Sequence, residues 1–262
     1  MHKLMTFWRM IKTYKNWART VLYRLDIFPQ PMVVKTRKGT MFQVRNRKQQ
    51  DADLYVLNES YLYGIHDEML PYMKDAKIGI DIGAHIGTFS VLAAKNSRAK
   101  IYAIEPDDEN LAALRENVSL NSLAEQVIPV EAIITDKTGE KELFIFESRG
   151  LNSIFKNHGE GFNRPLIGSK KVRSFSLADF FEKHKIDFCD FIKVDVERAE
   201  YDIFFNLPRA IYDKIGVMGI EIGGENIKEL VAHIQSNGFR VERPRKEFSE
   251  YFCVNKRIPE HH

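Results

Sequence analysis

The residues that decide the fold are Ile78-Gly-Ile-Asp81-Ile-Gly83-Ala-His85-Ile-Gly87-Thr-Phe-Ser90, where an apolar run passes through a glycine turn into a helical pattern. A short apolar run of this kind is typical of a strand that is buried on both faces of a sheet. Gly83 and Gly87 permit a tight turn, at which the backbone approaches a ligand closely and the N–H groups of the next helix face it. The stretch therefore predicts a strand, a binding turn and a helix that begins near Ile86.

The spacing of these glycines separates two kinds of nucleotide site. A dinucleotide fingerprint needs G-x-G-x-x-G, whereas Gly83 and Gly87 form G-x-x-x-G, with Asp81 two residues before the first glycine. A carboxylate at this point repels a pyrophosphate and attracts the ammonium of an amino-acid-like ligand. S-adenosylmethionine (SAM) carries such an ammonium and no phosphate, so we expect Asp81 to bind its methionine end. An NAD-dependent oxidoreductase is the alternative, and the missing middle glycine disfavours it.

The chain from residue 77 onward alternates short apolar runs with helical patterns. The predicted strands are Ile78–Ile82, Lys100–Ile104, Val127–Ile134, Phe191–Val196 and Val217–Ile222. The predicted helices between and after them are Ile86–Lys95, Asp108–Asn121, Leu177–His184, Glu200–Asn206 and Glu225–Asn237. Apolar strands separated by helices indicate an α/β fold, with a mostly parallel sheet flanked by helices.

Further strands are predicted beside this repeat. Lys141–Phe146 and Lys170–Phe175 lie on either side of a long loop, 148–168, which we interpret as a loop on the substrate side. Phe239–Glu242 and Ser249–Val254 predict an antiparallel hairpin at the sheet edge.

Acidic residues recur where the predicted strands end, which is the edge where open α/β sheets bind ligands. Glu105 closes the second strand, 24 residues after Asp81, and we expect it to accept both ribose hydroxyls of the nucleoside. Glu131 and Ala132 lie at the tip of the third strand. We expect Ala132 to leave room for an adenine ring and Glu131 to accept from its amino group. Glu221 ends the fifth strand and would complete an acidic floor.

The fourth strand is followed by the candidate catalytic carboxylates Asp195, Glu197 and Glu200. Crowding raises the pKa of at least one carboxyl in such a group, which suits a general base. His66 and His158 are alternative bases, whereas we expect His85 to pack beside the cofactor. A divalent cation on the acidic rim is a disfavoured alternative, and we predict no metal site.

Five stretches, in this order, resemble the FkbM family of SAM-dependent methyltransferases. They are DIGAHIGTFS from residue 81, IEPDDENLAALRENVSLN from 104, EAIITDKTG from 131, SLADFF from 176 and FIKVDVERAEYDIF from 191. The resemblance covers roughly residues 40–242. It implies a class I (Rossmann-like) methyltransferase fold, with a seven-stranded sheet whose last strand is antiparallel. It also implies methyl transfer, usually to a hydroxyl oxygen of a glycan, a polyketide or a related small molecule.

The resemblance assigns roles to single residues. It implies that Asp81, Gly83 and Gly87 line the methionine end of SAM, that Glu105 binds its ribose, and that Asp195 and Glu197 match the family's Asp-x-Glu-Gly-x-Glu stretch. Arg198 stands where the family has glycine, and His85 stands where it typically has asparagine. We therefore predict a SAM-dependent O-methyltransferase that releases S-adenosylhomocysteine and acts on a saccharide, a glycolipid or a related molecule. A non-catalytic module that keeps a SAM pocket and is recruited through its basic N-terminus is a second alternative.

Charge is distributed unevenly along the chain. Residues 1–50 hold 12 Lys and Arg and one acid, Asp26, a net charge of +11, so the chain's total of +3 leaves −8 for the rest. Apolar residues from Leu4 to Leu25 recur every three or four positions among these cations, which predicts one amphipathic helix of about 22 residues that ends before Pro29. We expect this helix to pack on the main domain or on a second subunit, or to lie on an anionic membrane through residues 3–25. Nucleic acid is the least favoured partner, because cations alone supply only unspecific attraction to phosphates.

The chain therefore divides into a basic N-terminal helix (1–30), a preamble (31–76) and a SAM-binding methyltransferase domain (77–262). The preamble contains a predicted hairpin, Met32–Lys35 with Met41–Arg45, and a predicted helix, Glu59–Met73. No run approaches the roughly 18 apolar residues of a membrane span, and charges interrupt the apolar stretch that a secretory signal would need. The two cysteines, Cys189 and Cys253, are too few for a disulfide framework. We expect a cytoplasmic protein, free or held at the inner membrane surface.

Overall fold

The computed structural model describes residues 2–48, 50–158, 162, 164–243 and 248–258, and the side chains from residue 5 onward. The strands are β1 (Met32–Lys35), β2 (Met41–Val44), β3 (Ile78–Ile82), β4 (Lys100–Ile104), β5 (Val127–Val130), β6 (Ile133–Thr135), β7 (Gly139–Phe146), β8 (Leu166–Ser176), β9 (Cys189–Val194), β10 (Ile215–Glu221), β11 (Phe239–Glu242) and β12 (Glu250–Asn255). The α-helices are α1 (His2–Thr13), α2 (Trp17–Arg24), α3 (Ala52–Asn58), α4 (Leu70–Met73), α5 (Thr88–Asn96), α6 (Asp108–Leu120), α7 (Leu177–Lys183), α8 (Glu200–Phe205), α9 (Arg209–Tyr212) and α10 (Ile227–Ser236).

The central sheet has seven strands in the order β11-β12-β10-β9-β3-β4-β5. Its central pairs are parallel, and β12 runs antiparallel to both β10 and β11. Ile82 pairs with Val194 on one side and with Ile104 on the other, so the carboxyl ends of β3, β4 and β9 are level. The predicted seven-stranded sheet with one antiparallel strand is confirmed. The predicted C-terminal hairpin is formed by β11 and β12. Its turn residues, 244–247, lie outside the described residues.

Both faces of this sheet are buried, as the continuous apolar strands predict. Alternate residues of β4 show it: Ile101 and Ala103 lie in the core with α5 and α6, whereas Tyr102 and Ile104 lie in the core with α7, α8 and α10. The preamble and the N-terminal helices belong to the first of these cores.

A second, three-stranded sheet, β6-β8-β7, lies beyond the edge strand β5. The predicted single strand Val127–Ile134 is wrong, because its first half pairs with β4 while Ile133 onward pairs with β8. The predicted loop 148–168 is also shorter than expected at its carboxyl end, since β8 begins at Leu166 and pairs antiparallel with β7.

The predicted single N-terminal helix is wrong as well, because two helices, α1 and α2, meet at a break. Tyr14 forms an isolated β-bridge with Thr36. The Lys15 N–H donates to the Lys35 carbonyl oxygen at 2.7 Å, in place of the helical bond four residues back. The hairpin β1–β2 therefore interrupts the helix. Both helices rest on the preamble through buried Met10, Tyr14 and Tyr23.

The predicted helix Glu59–Met73 is replaced by shorter pieces. Helix α3 continues into a π-helical turn, Glu59–Tyr63, which ends at Gly64 with a φ of +59°. A left-handed glycine ends a helix at low steric cost, so the chain turns before a 3₁₀ turn, Asp67–Met69, and α4. In the described part of the chain, no helix is long and apolar enough to cross a membrane.

Candidate active site

A cavity of about 650 Å³ lies at the carboxyl ends of β3, β4, β9 and β10. The sheet residues in its wall are Gly83, His85, Glu105, Ala132, Asp195, Glu197 and Glu221. The preamble helix α3 and residues 148–154 form the facing wall. This volume lies within the roughly 300–1,000 Å³ of small-molecule sites, and the position is the one at which open α/β sheets bind ligands.

Glu105 is a buried carboxylate in this wall whose two oxygens are fixed by the backbone. The N–H of His85 donates to Oε2 at 2.8 Å, and the N–H of Asp107 donates to Oε1 at 3.0 Å. Burial raises the pKa of Glu105 to about 7. The Asn110 side-chain amide also donates to Oε1, at 3.4 Å, whereas Oε2 retains a lone pair for a further donor. The contact of Glu105 with the ribose hydroxyls stays a prediction that its place in the cavity wall suits.

Asp81 does not reach the cavity. It is fully buried, the Ser90 hydroxyl donates to its Oδ2 at 2.6 Å, and Lys193 Nζ lies 3.6 Å from its Oδ1. Lys193 Nζ also donates to the Gly83 carbonyl oxygen at 2.8 Å and lies 3.3 Å from Asp195 Oδ2. Burial opposes the charge of Lys193, but Asp195 and Asp81 raise its pKa above the ordinary value. Asp81 therefore lies beside the protein's own ammonium, and its binding to the methionine end of SAM stays a prediction.

The glycine turn holds two strand ends together. Gly83 has a φ of +78°, and a Cβ added there would lie 1.8 Å from the backbone oxygen of Asp195. Gly87, with a φ of +83°, precedes α5 and lies outside the cavity wall, where an added Cβ would meet Leu114 at 3.2 Å. Gly83 is thus required by the close approach of the turn after β3 to the end of β9. Gly87 does not line the cavity, so its contact with the ligand stays a prediction.

His85 turns the chain between these glycines with a φ of +50°. Its ring is buried in the cavity wall, and neither ring nitrogen has a hydrogen-bond partner among the described residues. Asp53 Oδ1 lies 3.9 Å from Nε2. Burial lowers the pKa of His85 to about 4, so the imidazole is neutral near pH 7. Its packing beside a cofactor stays a prediction that this position suits.

The two predicted adenine-binding residues that follow β5, Glu131 and Ala132, lie in different surroundings. Ala132 is fully buried and lies in the cavity wall, as expected for a residue that leaves room for a ring. Glu131 is exposed, and its Oε1 lies 3.3 Å from Lys170 Nζ. Glu131 does not line the cavity and is paired with Lys170, so its contact with an adenine amino group stays a prediction that this position does not favour.

Four carboxylates, Glu59, Asp195, Glu197 and Glu221, line the cavity beyond the glycine turn. Burial, and then the charge of Asp195, raise the pKa of Glu59 to about 7. The charge of Asp195, and then burial, raise the pKa of Glu221 to about 9. Burial also raises the pKa of Glu197, opposed by the His158 ring, whose Nε2 lies 2.9 Å from Glu197 Oε2. The acidic wall therefore includes one carboxylate, Glu59, that the sequence does not predict.

Two other predicted bases lie away from the cavity. Glu200 is buried behind it, where its Oε1 accepts from the Arg198 N–H at 3.3 Å and burial raises its pKa to about 8. Its carboxyl does not line the cavity, so the role of Glu200 as a catalytic base stays a prediction that this position does not favour. His66 is paired with Glu250, its Nδ1 lying 2.8 Å from Oε1.

The preamble supplies site residues that sequence reasoning missed. Tyr55 comes from α3 and Glu59 from the π turn that follows it, and both line the cavity. Arginines 24, 47, 149 and 164 line the opening of the cavity. No periodicity in the sequence indicates that α3 covers the carboxyl edge of the sheet. Among the described residues, no group of three or more His, Cys, Asp and Glu side chains is placed to hold a metal ion.

Comparisons with known proteins agree with this geometry. The model of the methyltransferase FkbM domain matches residues 81–241, more than half of the chain. A ribosomal protein L11 methyltransferase from Ruminiclostridium cellulolyticum is 33% identical over 73 residues, which are 28% of this chain and 23% of that protein. The chain thus aligns with less than a quarter of the length of this curated relative.

Solved structures are similar at low identity. A precorrin-6y C5,15-methyltransferase from Geobacter metallireducens is 14% identical with a TM-score of 0.44, covering 73% of this chain and 86% of its own. TYW2 from M. jannaschii, in complex with AdoMet (SAM), is 14% identical with a TM-score of 0.41, covering 86% of this chain and 84% of its own. The strand order itself, with β12 antiparallel, is that of the class I Rossmann-like methyltransferase fold. Since the model of this domain matches more than half of the chain, and the chain has the fold and a cavity of sufficient size, it belongs to the FkbM methyltransferase family.

Proposed function

We propose that this chain transfers a methyl group from SAM to a hydroxyl oxygen of a saccharide, a glycolipid or a related small molecule. The observation that carries the proposal is the wall of four carboxylates, Glu59, Asp195, Glu197 and Glu221, which lies in the π turn after α3, just after β9 and at the end of β10. Carboxylates accept protons and hydrogen bonds from hydroxyl groups, so a polar acceptor that carries several hydroxyls suits this wall.

The residues of the other wall suit SAM. Glu105 would accept from the ribose hydroxyls, and buried Ala132 would leave space for the adenine ring. The neutral ring of His85 would pack against the nucleoside or donate to it. When bound, SAM supplies a methyl group that its sulfonium has already activated, so the protein's main task is alignment of the acceptor.

We assign the role of general base to Asp195. It lies in the cavity wall, and its Oδ2 is 3.3 Å from the Lys193 ammonium, which holds the side chain in place. The acceptor hydroxyl would give its proton to this carboxylate as its oxygen bonds to the methyl carbon, and the sulfur would keep the electron pair of the broken bond. Glu197, beside His158, is the second candidate for this role.

Calorimetric titration with SAM and S-adenosylhomocysteine tests the cofactor site. We expect Glu105→Ala to weaken both affinities at least tenfold, because the variant loses two charge-assisted hydrogen bonds. Glu131→Ala is the matched control, since that side chain faces Lys170, and its affinities should equal those of the wild type. Undiminished binding by Glu105→Ala would contradict the site.

Release of S-adenosylhomocysteine with a panel of saccharide and glycolipid acceptors tests the reaction. We expect Asp195→Asn to lower turnover about 10²–10⁴-fold while SAM affinity is kept, and Glu197→Gln to have the smaller effect. A methylated nitrogen or carbon in the product would overturn the oxygen assignment. Tight SAM binding without transfer to any acceptor would instead support the non-catalytic binding module.

A further inference from the structure

A patch of exposed apolar side chains lies at the carboxyl end of α2. Its members, here called the apolar tip, are Leu22, Leu25, Ile27 and Phe28, with exposed fractions of 38%, 62%, 60% and 56%. The N–H groups of Ile27 and Phe28 both donate to the Leu22 carbonyl oxygen, at 3.0 and 3.2 Å. The chain therefore folds back on the end of the helix, which brings Ile27 and Phe28 close to Leu22. Exposure of large apolar side chains in such a cluster marks an interaction surface.

The apolar tip is attached to the rim of the cavity. The Tyr23 hydroxyl donates to the Arg45 carbonyl oxygen at 2.7 Å, and the Arg47 N–H donates to the Pro29 carbonyl oxygen at 2.8 Å. Arg24, within the tip's own segment, and Arg47 both line the cavity. Phe162, 56% exposed, also lines it. One exposed apolar side chain and two cationic side chains therefore line the cavity close to the segment that carries the apolar tip.

Charge distinguishes among partners for this surface. The exposed cations of α1, α2 and their connection are Arg9, Lys12, Lys15, Arg19 and Arg24. Against them stands Asp26, the one acid in residues 1–50, whose carboxylate lies 3.6 Å from the Arg47 guanidinium. A second copy of the same surface would be repelled by these charges, and a nucleic acid would leave the apolar tip in water. Anionic headgroups above an apolar interior satisfy both features at once.

We propose that the apolar tip and the cations around it dock on an anionic lipid bilayer, with the cavity opening next to the membrane surface. The tip inserts between headgroups, and the lysines and arginines bind lipid phosphates and carboxylates. Docking of this kind is independent of the reaction that the cavity performs, so its test can fail without affecting the proposed function.

Vesicle flotation of the full chain tests the proposal, with phosphatidylcholine vesicles that contain or lack phosphatidylserine. We expect the protein to float with the anionic vesicles and to be released by high salt. Ile27→Glu/Phe28→Glu should lower the partition coefficient at least tenfold, because the tip then loses its apolar area and gains like charge with the lipid. Lys15→Gln/Arg19→Gln should lower it about fivefold for each cation removed.

Matched controls lie at other places on the surface. Phe188 is 42% exposed and directly precedes β9, at the amino end of that strand, whereas the cavity lies at the carboxyl ends. Phe188→Glu should therefore bind vesicles as the wild type does. Lys228→Gln, on the exposed face of α10, is the control for charge. SAM affinity, measured for every variant, shows that each is folded. Equal flotation of the wild type on neutral and anionic vesicles would overturn the proposal. So would an Ile27→Glu/Phe28→Glu variant that folds and floats as well as Phe188→Glu.

Discussion

Arg198 occupies a backbone conformation that glycine adopts without strain. Its φ is +83° and that of Glu197 is +50°, so two successive residues with side chains are left-handed. The chain therefore follows the course that a glycine at this position would give, and the departure from the family's sequence leaves Glu197 in the cavity wall. The strain of a left-handed residue with a side chain is about 1–2 kcal/mol.

Arg198→Gly should therefore raise the free energy of unfolding, measured in urea, by about 0.5–1 kcal/mol, since relief of strain exceeds the added entropy of the unfolded glycine. Arg198→Ala keeps the strain and serves as the control, with no gain expected. A glycine variant that is no more stable than the alanine variant would contradict this account of the turn.

His85 makes stability depend on pH. Its pKa falls from 6.5 to about 4 on folding because it is buried. Below pH 6.5 the unfolded chain binds a proton that the folded chain does not bind, so this contribution is complete above pH 6.5 and is lost as the pH falls toward 4.

His85→Asn removes this titration and keeps a residue that tolerates the left-handed turn. Between pH 7 and pH 5, the free energy of unfolding should fall by about 2 kcal/mol less in the variant than in the wild type. Urea denaturation at a series of pH values measures the difference. Parallel curves for the two proteins would show that the imidazole is not buried in its neutral form.

At the scale of elements, the break between α1 and α2 fixes the N-terminus on the preamble. The Tyr14 hydroxyl donates to Asn58 Oδ1 at 2.8 Å in a fully buried contact, at the residue where α3 passes into the π turn that carries Glu59. The N-terminal helices therefore support an element of the cavity wall as well as the apolar tip.

Tyr14→Phe should lower the free energy of unfolding by about 1–3 kcal/mol, because it leaves the Asn58 oxygen buried without its donor. Tyr251→Phe, at a half-buried tyrosine of β12, is the comparison and should change stability by less. Thermal or urea unfolding measures both variants. If the two variants lose the same free energy of unfolding, the hydrogen bond from Tyr14 to Asn58 does not stabilise the packing of the N-terminal helices.

At the scale of the whole molecule, SAM should stabilise the fold, because its site joins the sheet, the preamble and residues 148–154. At a concentration of 100 times Kd, a ligand adds about 2.7 kcal/mol, which corresponds to a rise in Tm of about 5–10 °C for a chain of this size. NADH should give no such shift, since the glycine turn lacks the pyrophosphate fingerprint. A larger shift with NADH than with SAM in a thermal unfolding assay would contradict the cofactor assignment.

Several parts of this architecture follow from local sequence. An apolar run such as Ile101–Ile104 has no charged residue on either face, so it fits a sheet that is covered on both sides. The carboxyl ends of parallel strands share one edge, and for this reason the position of Glu105 and Asp195 near one cavity could be predicted from the chain alone.

Tertiary contacts decided the rest. Asp81 is predicted to be a ligand-binding acid, and only the folded chain shows that the Lys193 ammonium lies beside its buried carboxylate. The single helix expected at the N-terminus is broken by a hairpin that begins at Met32. Glu59 enters the site because α3 lies across the sheet edge. Sequence determined which segments must be buried and where strands end, since periodicity and turn chemistry are local. The partners of each polar side chain depend on residues far away along the chain, and therefore only the tertiary structure decided which carboxylates face the cavity.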